Sequence, residues 1–378
     1  MDALSDKCSA NKTVMHLIDT TGPGGAETVF IDLADKMRNF GYRSITVVRG
    51  KGWVYDELCK RDLKPIIMPA KGSFNVKFVW SLLKLVRVNR VALIQSHLLG
   101  SNVYAAIVGI LSRVPVVATY HGMVDVSPNE RFKRVKHWVM QHGISHYVTV
   151  SQRLAKNVQA QGLLDPAKSS TIYNGIDISR YGRMAARPLV DELGIAQDSV
   201  LVGSVGNVRA AKDYAMLVKA AAIVVEQNAK VHFVIAGHQK AELMDELNKL
   251  ILKLGLTSNV HFIGFCDDSA QFLAQMDIFA LSSKSEGFSI STIEGMATGL
   301  PVLVTRCGGP EEIVSHGETG WMVEPQSETV FANALLMLLS DESLREKLGE
   351  AGKKAVAAKF DLTAMLGAYD AHYKKLVR

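Results

Sequence analysis

Short apolar, β-branched runs alternate with stretches of helical period along nearly the whole chain, and the rhythm starts afresh in the second half. No other feature restricts the fold as much. Two strands joined through a helix cannot close as a hairpin; they lie parallel, with the helix packed on a face of their sheet. In the first half the pattern predicts strands at 14–18, 44–48, 65–68, 92–94 and 114–120, and helices over 26–40, 76–88 and 102–111. In the second half it predicts strands at 199–205, 231–236, 260–265, 278–282 and 301–305, and a last helix over 362–376. A chain of 378 residues, 48% of them apolar, exceeds what one core serves, so two Rossmann-like α/β domains are expected. The segment 170–177, with Asn174-Gly175, is the expected hinge, because Asn-Gly permits backbone angles that other pairs resist. This sets domain boundaries at 1–177 and 178–359.

Composition removes several classes. The longest apolar stretch, around 103–111, is too short and too rich in Ser, Gly and Asn to span a bilayer, and Met1–Lys7 lack the apolar core of a secretory signal. Four scattered cysteines, Cys8, Cys59, Cys266 and Cys307, have neither disulfide nor metal-ligand spacing, which favours a reducing, cytoplasmic setting and no metal. Charge is uneven. Residues 1–177 carry 23 Lys+Arg against 13 Asp+Glu, whereas 178–378 carry 20 against 24. A basic half suggests an anionic surface as partner. No nucleic-acid module or aromatic stacking platform accompanies it, so a membrane leaflet or lipid phosphate fits better than nucleic acid.

The chemistry sits in loops after strands. The apolar run 202–205 breaks at Gly206 and then presents Arg209 and Lys212. A guanidinium fork and a compact ammonium suit the oxygens of a diphosphate. A cation after a strand is more often a solvated surface residue. The position is what counts here: open parallel sheets bind ligands at the carboxyl ends of their strands. After the apolar strand 278–281 come Glu286 and, eight residues on, Glu294. Small residues leave the loop amides uncrowded, and the following helix directs its positive end at them. A carboxylate accepts two hydroxyl hydrogen bonds, so one glutamate can hold a hexose and the other, about two turns further on, a ribose. An ordinary turn and amphipathic helix with solvated glutamates would read the same in isolation.

Gly22-Pro23-Gly24-Gly25-Ala26-Glu27 follows the first strand and opens a helix, which invites a dinucleotide reading. That reading fails: Glu27 stands where the third glycine belongs, and the second strand ends in Val47-Val48-Arg49 without an acidic residue. No Gly-Lys-Ser/Thr follows, which excludes a P-loop. The loop remains a close-approach turn able to give N–H groups to a phosphate or an acceptor. His121 ends a strand and precedes Gly122, a place where histidine is more often structural than catalytic; His97 is a weaker candidate for an acceptor side. In 129–140, Phe132, Val135 and Val139 fall on one side of a helix flanked by Arg131, Lys133, Arg134 and Lys136. That pattern suits either an anionic leaflet or packing onto the first domain.

Gly22-Pro23-Gly24-Gly25-Ala26-Glu27, His121-Gly122, Asn174-Gly175-Ile176-Asp177, Gly206…Arg209…Lys212, Glu286-Gly287-Phe288-Ser289…Glu294 and Gly308-Gly309-Pro310-Glu311-Glu312-Ile313-Val314 together resemble, in order and over nearly the whole chain, a retaining GT-B glycosyltransferase of family GT4. The chain departs from the pattern at Ser289, where the family often has Gly-Phe-Gly, and at Glu294-Gly295. The resemblance implies two Rossmann-like domains facing across a cleft, the first on the acceptor side, the second binding the donor, and a helix over 360–378 returning to the first. It implies transfer of a hexose from a nucleoside diphosphate sugar, with UDP the expected nucleotide, to a glycan or lipid-linked hydroxyl in polysaccharide or glycoconjugate synthesis. Arg209, Lys212, Glu286 and His121 would be catalytic. Gly24, Gly25, Gly206, Gly264, Phe265, Gly287, Phe288, Ser289 and Glu294 would bind the donor, with no metal or other cofactor. A GT-B UDP-sugar epimerase or hydrolase, or a non-catalytic sugar-nucleotide-binding protein, would share these motifs.

Overall fold

The computed structural model describes residues 12–70, 75–123, 132–184 and 186–377, so Cys8 and Arg131 lie outside the described residues, as does the side chain of Lys133. The chain divides into two compact units: one runs to Thr149 and takes in Ala155–Ile172 and the chain from Leu366, the other holds Val150–Leu154 and Tyr173–Met365.

The first unit is a seven-stranded parallel sheet: β1 (Lys12–Ile18), β2 (Tyr42–Val48), β3 (Ile66–Ile67), β4 (Val91–His97), β5 (Val116–Tyr120), β6 (His146–Thr149) and β7 (Ser169–Thr171), in the order β3-β2-β1-β4-β5-β6-β7. The central strands are buried on both faces, which explains their continuous apolar runs. Ser169–Thr171, expected as part of a hinge, is the edge strand of this sheet, paired with Tyr147–Thr149. Two helices, Leu99–Ser112 and Lys133–Gly143, meet backbone to backbone: a Cβ at Gly143 would lie 2.2 Å from the carbonyl oxygen of Ala106.

The second unit is a six-stranded parallel sheet: β8 (Val200–Val205), β9 (Val231–Ala236), β10 (Val260–Gly264), β11 (Ile278–Leu281), β12 (Val302–Thr305) and β13 (Trp321–Val323), in the order β10-β9-β8-β11-β12-β13. Its core joins Val202, Phe233, Ile235, Ile278 and Leu303 of the sheet to the helices Tyr214–Gln227 and Glu328–Ser340. Gly175 does not take a left-handed backbone. A Cβ there would lie 2.6 Å from the carbonyl oxygen of Asp361, so glycine serves the close passage of that strand of chain instead. Both sheets change winding direction once, between β1 and β4 and between β8 and β11, and such switch points leave a crevice at the carboxyl ends of the strands.

Candidate functional site

In the second unit the crevice lies where the loops after β8 and β11 part. Gly206 ends β8; a Cβ there would lie 2.6 Å from Lys212 Cε, so glycine lets the lysine fold back over the strand end. The short turn Ala210–Lys212 is tied to the other loop: Ser282 Oγ donates to the Lys212 carbonyl (2.9 Å), and Lys284 N–H donates to that of Ala211 (2.7 Å). Lys212 Nζ then reaches Glu286 Oε1 at 2.8 Å, with the two side chains only 18% and 15% exposed. Burial opposes the charge on Lys212, but the Glu286 carboxylate, with help from Tyr214, outweighs it and holds the lysine pKa above its ordinary value. Ser283 Oγ donates to the same Oε1 (2.6 Å), so the protein's hydrogen bonds gather on one oxygen and Oε2 is left for a ligand. Sequence spacing gave no sign of this ion pair; it arises because β8 and β11 are neighbours.

The loop around Glu286 is held by Cys307-Gly308-Gly309. Glu286 N–H donates to the Cys307 carbonyl (3.0 Å), and Gly309 N–H donates to the Glu286 carbonyl (3.1 Å). Cβ atoms at Gly308 and Gly309 would stand 2.6 Å from Glu286 O and 2.2 Å from the Phe288 backbone, contacts that only glycine avoids. Phe288 is buried between Tyr173 and Phe360, at ring separations of 5.7 and 5.4 Å, so only its backbone and that of Gly287 can serve a ligand. Ser289 adopts φ 88°, a left-handed value that favours glycine, and caps the helix Ile290–Thr298. Its hydroxyl bonds to that of Thr292 at 2.8 Å.

Glu294 lies further along that helix. Its Oε1 accepts from Tyr181 Oη (2.8 Å) and Ser269 Oγ (2.9 Å), again leaving Oε2 to a ligand. Burial raises its pKa, and those two donors pull the other way. Ser283, Tyr181 and Ser269 were missed by sequence reasoning, because nothing in a lone Ser or Tyr marks it as a carboxylate's partner. Arg209 is exposed beside the lysine turn. Gly264 takes φ 82° and its carbonyl accepts Gly237 N–H at 2.7 Å, and Phe265 beyond it is 41% exposed. Thus Gly206, Arg209, Lys212, Glu286, Gly287, Phe288, Ser289, Glu294, Gly264 and Phe265 all belong to the second unit.

Gly24, Gly25 and His121 belong to the first. The helix Gly25–Lys36 begins at the glycine loop, and the buried carboxylate of Glu27 folds back so far that a Cβ at Gly24 would stand 2.4 Å from it. His121 Nε2 meets His97 Nδ1 at 2.8 Å. His97 is fully buried, so it supports His121 and does not line a ligand surface. Burial lowers the pKa of both, that of His121 to about 3. An open pocket of about 250 Å³, invisible in the sequence, lies at the ends of β1, β2 and β3 in this unit, against the helices Val76–Val88 and Leu99–Ser112. Asp19, Arg49, Ser101 and Gly100 give it polar lining, and Met68, Phe78 and Tyr104 are among its apolar walls. Burial raises the Asp19 pKa, with Arg49 acting against it. Among the described residues no cluster of three or more His, Cys, Asp or Glu could hold a metal, and no helix is long and apolar enough to cross a membrane.

Residues 187–355 match the family described as Glycosyl transferases group 1, and residues 23–180 match Glycosyltransferase Family 4. The chain is 30% identical over 270 residues to N-acetyl-alpha-D-glucosaminyl L-malate synthase of Bacillus anthracis, covering 70% of this chain and 69% of that one. It is 26% identical over 280 residues to UDP-Gal:alpha-D-GlcNAc-diphosphoundecaprenol alpha-1,3-galactosyltransferase of Escherichia coli, covering 71% and 72%. Its fold is similar to that of Anabaena Alr3699/HepE, solved in complex with UDP-glucose, at a TM-score of 0.86, 22% identity and coverage of 96% and 99%. The chain therefore belongs to the family 4, group 1 glycosyltransferases and has their GT-B fold of two Rossmann-like domains.

Proposed function

We propose that this glycosyltransferase moves a hexose from a nucleoside diphosphate sugar, UDP-linked, to a hydroxyl of a glycan or lipid-linked acceptor, with retention of anomeric configuration and without a metal. The observation that carries the reading is the Lys212–Glu286 pair at the switch point of the second sheet, each partner with capacity left for a ligand. In this reading Lys212 and Arg209 face the diphosphate, the free oxygen of Glu286 takes hexose hydroxyls, that of Glu294 takes ribose hydroxyls, and Phe265 lies against the base. The bond from the anomeric carbon to the phosphate oxygen breaks, and its electron pair stays on the diphosphate, where the two cations stabilise it. The acceptor oxygen bonds to the anomeric carbon on the same face, and its proton passes to the departing phosphate oxygen. The E. coli relative, named for a UDP-linked donor and a diphospholipid acceptor, supports the donor and acceptor classes.

The acceptor is assigned to the pocket of the first unit, where Asp19 can hold a hydroxyl and the aromatic wall of Phe78 and Tyr104 can lie along a sugar ring. The helix Lys133–Gly143 supports work at an anionic leaflet on the cytoplasmic side. Sequence period grouped Val139 with Phe132 and Val135 on one apolar side, but Val139 is buried, and the exposed row is Phe132, Val135 and Trp138, at 59%, 50% and 58%. Arg134 is exposed beside that row and Lys136 half-buried. Such a row with basic neighbours suits a headgroup region. The test is nucleotide release from a panel of sugar nucleotides, with and without glycan and lipid-linked acceptors, in the presence of chelator. Acceptor-dependent release supports the reading. Release without any acceptor would favour a hydrolase or epimerase, and release from no donor would favour a binding protein.

A further inference from the structure

Glu294 is held from two segments distant in the chain, and one of them is led by Asn174-Gly175-Ile176-Asp177, part of the segment expected as a hinge. That motif is pinned within the second unit. Ile176 N–H donates to the Phe360 carbonyl and Leu362 N–H to the Ile176 carbonyl, both at 3.0 Å. Asp177 Oδ1 then accepts the N–H of Ser179 (3.2 Å) and its hydroxyl (2.6 Å), which starts the tight turn Ile178–Arg180. Tyr181 N–H closes the turn on the Ile178 carbonyl at 3.1 Å. The Tyr181 side chain, only 9% exposed, leaves that turn and reaches Glu294 Oε1 at 2.8 Å.

The second segment is the helix Ser269–Leu273. Asp268 Oδ1 caps it by accepting from Ala270 and Gln271 N–H, at 3.0 and 3.3 Å, and Arg180 Nη2 meets the same oxygen at 3.3 Å. Ser269 Oγ, in the first turn, approaches Glu294 Oε1 at 2.9 Å. Two hydroxyls on one oxygen fix the plane of the carboxylate and favour its charged form. Burial works the other way and raises the Glu294 pKa; the Tyr181 and Ser269 hydroxyls, then Arg180 and Lys212, oppose it. Burial and the facing carboxylate push the Tyr181 pKa up, so the phenol keeps its proton. Cys266, ahead of Ser269, also feels the Glu294 charge, and burial keeps its thiol protonated.

We infer that Tyr181 and Ser269 are positioning residues, which hold Glu294 by one oxygen and so present the other to the ribose hydroxyls of the nucleotide. This rests on the reading that places the ribose at Glu294, and it gives the Asn-Gly-Ile-Asp motif a part in nucleotide recognition, the delivery of Tyr181. An ionised carboxylate only accepts, whereas a protonated one spends part of that capacity on its own proton. The ribose contribution to affinity is therefore present while Glu294 is ionised and is lost as pH falls through its pKa. Removing a donor raises that pKa further, so the loss then begins at a higher pH.

The experiment is calorimetry of the full chain with UDP and with 2′,3′-dideoxy-UDP, which has the same base and diphosphate but no ribose hydroxyls. The ratio of the two affinities isolates the ribose. Tyr181→Phe keeps the ring and removes only the hydroxyl; at about pH 7.5 it should weaken UDP about tenfold and leave dideoxy-UDP within about twofold. Ser269→Ala should act in the same way, by about threefold. On acidification from about pH 8 to pH 5.5, the preference for UDP should decline at a higher pH in Tyr181→Phe than in the wild type. Equal weakening of both ligands in Tyr181→Phe, no weakening of either, or an unmoved pH profile would overturn the inference. Glu294→Gln separates it from the reading beneath it. A UDP preference unchanged in Glu294→Gln would mean that the ribose lies elsewhere, and the reading fails. A preference lost in Glu294→Gln but kept in Tyr181→Phe would remove the positioning role alone.

Discussion

Replacing Glu286 with Gln should separate what this residue does for the fold, for the nucleotide and for turnover. The amide keeps nearly the same shape and removes the charge facing Lys212 Nζ at 2.8 Å. At an effective dielectric of about 20, the attraction between charges at that separation is about 6 kcal/mol, much of it offset by the cost of desolvating both ions. Because neither side chain is fully buried, the net cost of leaving Lys212 without its partner should be roughly 2 kcal/mol, or about 4–8 °C in melting temperature for a unit of this size. The free nucleotide should respond in the opposite sense. Diphosphate oxygens compete with Glu286 for the lysine, so calorimetry should find UDP affinity unchanged or up to about tenfold tighter in Glu286→Gln. Turnover should fall about 10²–10³-fold, because the hexose loses the carboxylate that orients it. A variant that binds UDP tenfold more weakly, with unaltered melting temperature, would show that Glu286 holds the nucleotide and that the pair contributes nothing to the fold.

Glu294→Gln should weaken UDP directly, and it should also change the pH dependence of stability. Burial raises the Glu294 pKa above its unfolded value of 4.5, so the wild type loses stability as pH climbs from about 4.5 through the raised value, and the variant's melting temperature should gain on it over that rise; a constant gap from about pH 4 to pH 7 would contradict this. Ala70→Trp should fill the pocket of the first unit and raise acceptor KM about tenfold, leaving donor KM within about twofold; equal effects on both substrates would take the acceptor away from that pocket. Reversing Arg134 and Lys136 to Glu together with Trp138→Glu should abolish binding to vesicles of anionic lipid, since each basic residue near such a surface contributes about 1 kcal/mol. Wild-type protein that ignores such vesicles at low salt would end the leaflet assignment.

What the sequence disclosed follows from burial. Strands such as Val116–Tyr120 and Val231–Ala236, apolar throughout because both faces are covered, announce themselves, as does the last helix, Leu362–Leu376. The strands His146–Thr149, Ser169–Thr171 and Trp321–Val323 do not: they are short, and the last two are edge strands whose pairing depends on a neighbour and not on their own composition. The site follows the same division. Residue types after strands β8 and β11 point to Lys212 and Glu286, but only the adjacency of those strands brings them to 2.8 Å. Partners drawn from far along the chain, such as Tyr181 and Ser269 on Glu294, leave no local trace. The helix Lys133–Gly143 shows the limit of period alone, since a register one residue off exchanges Val139 for Trp138 on the exposed face.

The central claim is tested most directly by following the anomeric carbon. Enzyme with chelator, an α-linked UDP-hexose and an acceptor that supports nucleotide release should yield an α-glycoside, read from its anomeric proton coupling, with one UDP released for each glycoside formed. Lys212→Ala should slow that conversion through kcat, because the lysine meets charge that grows as the bond breaks. A β-glycoside, a strict requirement for a divalent cation, or donor consumed with no glycoside formed would contradict it.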